Sequence, residues 1–251
     1  MSSAPAKTYF ISGASRGLGL GYTRELLASN PDVRVVAGVR NPSNAQLLDA
    51  LAAEPANKGR VHTIAWDVDH EDKVRDSARE LEASAFVKES GIDTVIVNAG
   101  VFVGGHKPPA EMSMDDLRAN FRTNVEGAIF TVQYLRPLLE RGQAKQIFFI
   151  SSIVGSMQGF YSQLSAGVSY SMSKAALNMY GVKLARELGD KGYTVLLIHP
   201  GYVKTDMNNF DGGGDITTEE AVSSATKNVF LAATPEWNGR YIDYEGKTVP
   251  W

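Results

Sequence analysis

Thr8-Tyr9-Phe10-Ile11-Ser12-Gly13-Ala14-Ser15-Arg16-Gly17-Leu18-Gly19 is the stretch on which the reading of the fold turns. Tyr9-Phe10-Ile11 is a short apolar run of strand-forming residues, and Gly13, Gly17 and Gly19 follow where the next helical stretch begins. A strand that feeds a glycine turn and then a helix lets backbone amides approach a pyrophosphate closely. The helix N-terminus adds unpaired N–H groups and a partial positive charge. The same glycines would equally serve a turn that only needs positive φ. Their spacing is G-x-x-x-G-x-G, not the G-x-G-x-x-G of the usual dinucleotide fingerprint.

Outward from this turn, short apolar runs alternate with longer amphipathic ones. Strands are expected at Val33 to Val39, Val61 to Trp66, Thr94 to Val97, Gln146 to Ile150 and Val195 to Ile198, with a seventh near Tyr241 and Ile242. The clearest helix runs from Ser113 to Arg141, where Ser113 and Asp116 form a capping box and Leu117, Phe121, Val125 and Val132 recur at helical spacing. Strands apolar along their whole length are buried on both faces, so the expectation is an α/β, Rossmann-like, doubly wound parallel sheet of about seven strands with helices on both faces. No linker or repeat divides residues 1–251, which read as a single domain.

Composition excludes several classes of function. A net charge of −3 with interspersed signs offers no basic surface for nucleic acid or anionic lipid. With no cysteine there are no disulfides, thiol nucleophiles, thiolate zinc sites or iron–sulfur clusters. No apolar stretch approaches the roughly 20 residues of a membrane span, and Met1 to Lys7 lack the character of a signal peptide. A cytoplasmic protein is expected. His62, His70, His106 and His199 are dispersed without paired ligand spacing, so no metal is expected, and His199, after an apolar strand, reads as a satisfied core or cofactor-adjacent histidine.

The second strand ends at Ala37-Gly38-Val39-Arg40. NAD-selective folds often place a carboxylate there for the ribose hydroxyls; an arginine instead grips a 2′-phosphate. Arg16, inside the glycine loop, supplies a second cation, and NADPH/NADP is the expected cofactor. Further on, Tyr170 and Lys174 are four apart and would share one helix face, where an ammonium favours the phenolate of a neighbouring tyrosine. Ser152, at the end of the fifth strand, would hydrogen-bond a substrate oxygen while Tyr170 donates a proton and a reduced nicotinamide gives hydride to carbon. Asn124, mid-helix among apolar neighbours, could hold a water beside Lys174. Taken singly, each has a structural explanation as a half-buried tyrosine, a turn cap or a backbone partner.

Together these marks resemble the short-chain dehydrogenases/reductases over essentially the whole chain: Gly13 to Gly19, Asp67-Val68, Asn98-Ala99-Gly100, Asn124-Val125, Ser151-Ser152, Tyr170 with Lys174, and Pro200-Gly201-Tyr202-Val203-Lys204-Thr205. The resemblance implies adenine contact by Asp67, cofactor support by Asn98, a catalytic tetrad of Asn124, Ser152, Tyr170 and Lys174, and nicotinamide contact by Val203 and Thr205. It extends the cofactor set to Gly13, Ser15, Arg16, Gly17, Leu18, Gly19, Arg40, Val68, Ala99, Gly100, Tyr170, Lys174, Pro200 and Gly201. Dimers or tetramers packed through the long fourth and fifth crossover helices are also implied. Ser152 and Tyr170 stand further apart than in most of the family, the extra residues falling in Ser156 to Gly167. That lengthening, with Thr205-Asp206-Met207 and the terminal Pro250-Trp251, resembles the branch of sniffer-type carbonyl reductases and fungal norsolorinic acid ketoreductase. If the insertion displaces the serine, Ser151 or Ser156 takes its role.

The loops beyond the strand ends are apolar. Phe102 and Val103, Met157, Phe160, Tyr161 and Leu164, and Tyr202, Met207 and Phe210 could wall a hydrophobic pocket, or pack on one another or a second subunit. Gly212-Gly213-Gly214 reads as a lid hinge or a loose loop. The function expected is reduction of a hydrophobic ketone, aldehyde or quinone with Tyr170 as proton donor. The alternatives are an NADP(H)-binding regulatory protein with incidental turnover and an NAD-dependent secondary-alcohol dehydrogenase.

Overall fold

Seven strands lie in one sheet in the order β3-β2-β1-β4-β5-β6-β7, every neighbouring pair parallel. They are β1 (Thr8–Ser12), β2 (Arg34–Val39), β3 (Val61–Ala65), β4 (Thr94–Val97), β5 (Gln146–Ile150), β6 (Thr194–His199) and β7 (Tyr241–Asp243). This is a computed structural model, and it describes residues 7–105, 107–158, 166–208 and 213–251. Of the residues singled out above, His106, Phe160, Tyr161, Leu164, Phe210 and Gly212 lie outside the described ones.

Alternation along each strand builds two cores. Phe10, Val95, Val97, Ile147 and Phe149 face one side, where Val74, Ala78 and Leu81 of α3 (Glu71–Ala83), Val132 and Leu135 of α5 (Gly127–Arg141) and Leu177 and Leu184 of α6 (Val168–Leu188) cover them. Tyr9, Ile11, Ile96, Phe148 and Ile150 face the other, beneath α1 (Gly17–Ser29), α2 (Gln46–Ala53) and α7 (Thr218–Ala225). A parallel sheet needs crossover helices on its faces, and the fully apolar strands supply both faces with something to bury. The fold is therefore the doubly wound, single-domain α/β architecture read from the sequence. Among the described residues, no helix is long and apolar enough to cross a membrane.

The helix expected over Ser113 to Arg141 forms, capped by Ser113, but with a π-helical turn within it. The chain forms α4 (Met114–Phe121), then a π-helical turn over Arg122–Glu126, then α5. The π-turn takes in one extra residue per hydrogen-bonded loop, and such turns recur at functional sites. Here it carries Thr123 and Asn124, both buried and both bonded to other elements. The Ser113 cap forms, its hydroxyl accepting from the Asp115 and Asp116 amides. The Asp116 carboxylate, however, pairs with Lys107 at 3.2 Å. A reciprocal capping box forms instead at Thr217 and Glu220, opening α7.

Candidate active site

All the candidate residues gather at the carboxyl ends of the strands, around the switch point between β1 and β4 where chain order reverses and open α/β sheets bind ligands. The turn after β1 is held shut from behind. The Asn98 side-chain amide donates to the carbonyls of Ser12 (3.0 Å) and Gly13 (3.3 Å), and the Asn98 and Ala99 amides both donate to the Ser12 hydroxyl at 3.0 Å. A Cβ at Gly19 would fall 2.2 Å from the Gly13 carbonyl oxygen, so the turn folds this tightly only with glycine there. Gly17 has φ +53° and nothing within 4 Å of its missing Cβ, so the loop faces open space on that side. Arg16 precedes α1 with no side-chain cap, which leaves the first amides of the helix, from Gly17 and Leu18 onward, without a side-chain acceptor.

A second feature of these residues fits a dinucleotide. Asp67, just past β3, has one carboxylate oxygen bonded to His70 and Lys73, each at 2.9 Å. Its other oxygen is buried without a partner. An orphaned buried acceptor is costly, and the exocyclic amine of an adenine would satisfy it. Lys73 and His70 also hold the Asp67 carboxyl below its ordinary range, against the raising effect of burial. Val68 is buried beside it.

The two arginines separate. Arg40, at the end of β2, lies 3.5 Å from Asp69, which accepts from the Thr123 hydroxyl at 2.5 Å. Arg16 pairs at 3.3 Å with Asp206, in the segment after β6, both side chains about three-quarters exposed. Exposed pairs of this kind contribute at most about 1 kcal/mol, so neither arginine is committed.

Across the cleft, the four expected polar residues converge. Gly100 adjoins two of them: a Cβ there would lie 3.2 Å from Asn124 Oδ1 and 3.7 Å from Lys174 Nζ. Asn124 accepts from the Val101 amide and donates to the Val101 carbonyl and the Ser173 hydroxyl, all within 2.9 Å. Its amide therefore ties the loop after β4 to α6. Asn120, which the sequence reading missed, does the same one turn earlier with Val103 and Ser169. Its signal was a second asparagine on one helical face, four positions before Asn124.

Ser152 hydrogen-bonds the Tyr170 hydroxyl. Ser151 is turned inward, donating to Asn178 at 2.6 Å, and Ser156 is buried at the end of a 3-10 turn. The lengthened loop thus does not displace Ser152. Lys174 donates to the Ile150 carbonyl at 2.9 Å, and its Nζ is 5.6 Å from the Tyr170 ring centroid. The expected depression of the phenol by this ammonium does not hold in the chain alone. Burial pushes Tyr170 up to about 12, opposed only by the Ser152 hydrogen bond. Burial also lowers Lys174 to about 8. A low dielectric penalises both charges, and burial is the leading cause of each shift.

Past β6, Pro200 and Gly201 turn the chain, and Val203 is buried in a bridge with Ile216. The Lys204 amide donates to the Ile216 carbonyl at 2.9 Å, and Thr205 follows it in the chain. The Phe102 ring packs against Tyr170 in a tilted arrangement, with ring centroids 4.9 Å apart and planes inclined at 50°. No cluster of metal-ligating side chains occurs among the described residues.

Comparison with known proteins agrees with this geometry. The short chain dehydrogenase family model matches residues 7–212. An uncharacterized oxidoreductase of Schizosaccharomyces pombe is 34% identical over 262 residues, covering 98% of each chain. The carbonyl reductase Sniffer of Drosophila melanogaster superposes with a TM-score of 0.86 at 25% identity, over 99% of this chain and 100% of that one. The NADPH-bound carbonyl reductase from chicken fatty liver gives a TM-score of 0.87 at 28% identity, over 99% and 100%. This chain belongs to the short chain dehydrogenase family.

Proposed function

We propose that this protein is an NADPH-dependent carbonyl reductase acting on hydrophobic ketones, aldehydes or quinones. The observation that carries the reading is the Ser152–Tyr170 hydrogen bond, with Lys174 one turn along the same helix and Asn124 beside it across Gly100. When bound, the reduced nicotinamide supplies hydride to the substrate carbon.

The chain's own groups do the rest. Tyr170 donates its proton to the carbonyl oxygen, and the Ser152 hydroxyl shares the negative charge that develops there. Lys174 is the nearby cation for the phenolate left behind. Asn124 positions the loop after β4 and the start of α6, and all its polar atoms are used in doing so. Gly13, Ser15, Gly17, Leu18 and Gly19 form the pyrophosphate turn, Asp67 takes the adenine amine, Ala99 and Gly100 line the floor, and Val203 and Thr205 flank the nicotinamide. Arg40 engages a 2′-phosphate, and the absence of a carboxylate at its position speaks against NAD and against the alcohol-dehydrogenase reading.

Phe102 beside Tyr170 and the exposed Met157 and Met207 give the substrate side an apolar character suited to aryl or bulky alkyl groups. The test is NADPH consumption against a panel of aromatic diketones and quinones. Tyr170→Phe should lower kcat by about a hundredfold or more while leaving NADPH affinity nearly unchanged. An unchanged rate in that variant would defeat the mechanism.

A further inference from the structure

Ser152 begins the loop that carries the extra residues, so the strand that delivers it offers no hydrogen-bond ladder beyond it. Its position depends on the peptide that follows. That one peptide, the Ser152 carbonyl and the Ile153 amide, is gripped at both ends. The Ser152 carbonyl accepts from the Tyr241 hydroxyl of β7 at 2.5 Å and, within the turn that follows, from the Gly155 amide at 2.9 Å. The Ile153 amide donates to His199 Nδ1, at the end of β6, at 3.2 Å. On the other side of Ser152, the Ser151 amide donates to the Ile198 carbonyl at 2.7 Å.

We propose that His199 and Tyr241 are positioning residues for Ser152, clamping the peptide that follows it so that its hydroxyl is held towards Tyr170. The proposal rests on the reading of Ser152 and Tyr170 as a reductase pair. A peptide unit is planar, so fixing its oxygen and its nitrogen fixes the plane. Ser152 is left in an extended conformation, φ −159° and ψ 145°, with its direction set from both sides. An amide can only donate, so His199 Nδ1 is the unprotonated acceptor and its proton resides on Nε2. Burial lowers His199 to about 4, which keeps it in this neutral form.

Tyr241 is itself braced. The Trp251 ring lies 5.3 Å from its ring, the Val249 amide donates to its carbonyl at 2.9 Å, and the Trp251 carbonyl takes the Gln158 amide at 2.8 Å. The segment 249–251 thus joins the clamp to the beginning of the long loop. Tyr241 also meets Asn178 and Ser151 through its hydroxyl. A purely structural role would therefore be to satisfy those buried groups, and the experiment has to separate the two.

The test is a double-mutant cycle with an independent readout of the clamp. Tyr241→Phe should lower kcat for NADPH-dependent reduction about tenfold with the KM for NADPH within about twofold, since small misplacements at a reacting centre act on kcat. In a Ser152→Ala background the same change should cost less than about twofold, because two residues acting through one hydroxyl are not additive. His199→Ala should behave like Tyr241→Phe, and His199→Asn, whose Oδ1 replaces Nδ1, should restore most of the rate. Amide exchange at Ile153, followed in the protein without cofactor or substrate, should accelerate about tenfold in Tyr241→Phe and His199→Ala. Equal losses with and without Ser152, an unchanged kcat in Tyr241→Phe, or no rescue by His199→Asn would overturn the proposal. If the wild type reduces no carbonyl at all, the exchange measurement decides. An Ile153 amide that responds keeps the clamp and discards the reductase reading, whereas one that does not respond discards the clamp.

Discussion

Arg40 follows β2, where a carboxylate favours NAD, and among the described residues it pairs with Asp69. Arg40→Asp should therefore weaken NADPH binding and favour NADH, shifting the ratio of the two affinities by about a hundredfold, as expected when a charge-assisted phosphate contact becomes a repulsion. Fluorescence titration with both reduced cofactors measures it. Lys174 makes a prediction about stability instead. Its folded value is about 8 against an ordinary 10.5, so between these the folded chain has shed a proton that the unfolded chain keeps. Stability from this residue is then gained as pH rises through that window and lost as pH falls through about 8. Tyr170 acts the other way, holding its proton up to about 12 against an ordinary 10, which lowers stability only at higher pH. Lys174→Met, which has no charge to bury, should be more stable than wild type near neutrality, with the difference shrinking by pH 9.5 to 10. Urea denaturation at the two ends of that window checks the sign; a difference independent of pH would refute it.

At the scale of elements, Asn124 shows how a helix that is continuous in pattern takes in a π-helical turn. Periodicity over Ser113 to Arg141 records which residues face the core, and a π-turn leaves most of that record intact. What made the turn was a set of tertiary hydrogen bonds, from Thr123 to Asp69 and from Asn124 to Val101 and Ser173. The glycine turn, by contrast, was legible because its reason is local: a Cβ at Gly19 collides with the Gly13 carbonyl whatever the rest of the chain does. Gly19→Ala should accordingly abolish measurable NADPH binding by forcing the turn open. Isothermal titration reads this, and circular dichroism should show the secondary structure retained. The capping box at Thr217 is equally local, a threonine followed three residues later by a glutamate at the start of α7. Thr217→Ala should destabilise the protein by about 1 kcal/mol, seen as a lower urea midpoint with an unchanged m-value.

For the whole molecule, the long helices α5 and α6 cover one face of the sheet and leave Met172 and Met179 exposed two turns apart on α6. We propose that this face meets a second copy of the chain, as expected from the family resemblance. Sedimentation velocity should then find a dimer or larger assembly, and Met179→Glu should shift it towards the monomer with NADPH affinity preserved. A wild type that sediments as a monomer at tens of micromolar would reject the proposal.

The sequence by itself determined the strand count, the two-sided burial, the glycine turn and the pairing of Tyr170 with Lys174, because each depends on spacing along one element or on one side chain's chemistry. It left open which serine lies beside the tyrosine, which carboxylates the two arginines pair with, and which groups surround the phenol. Those were decided only in three dimensions. Ser152 meets Tyr170 while Ser151 is turned to Asn178 and Ser156 is buried, Arg16 and Arg40 pair with carboxylates far away in the chain, and burial raises the phenol. Contacts and dielectric of that kind belong to the packed chain and are carried by no local pattern.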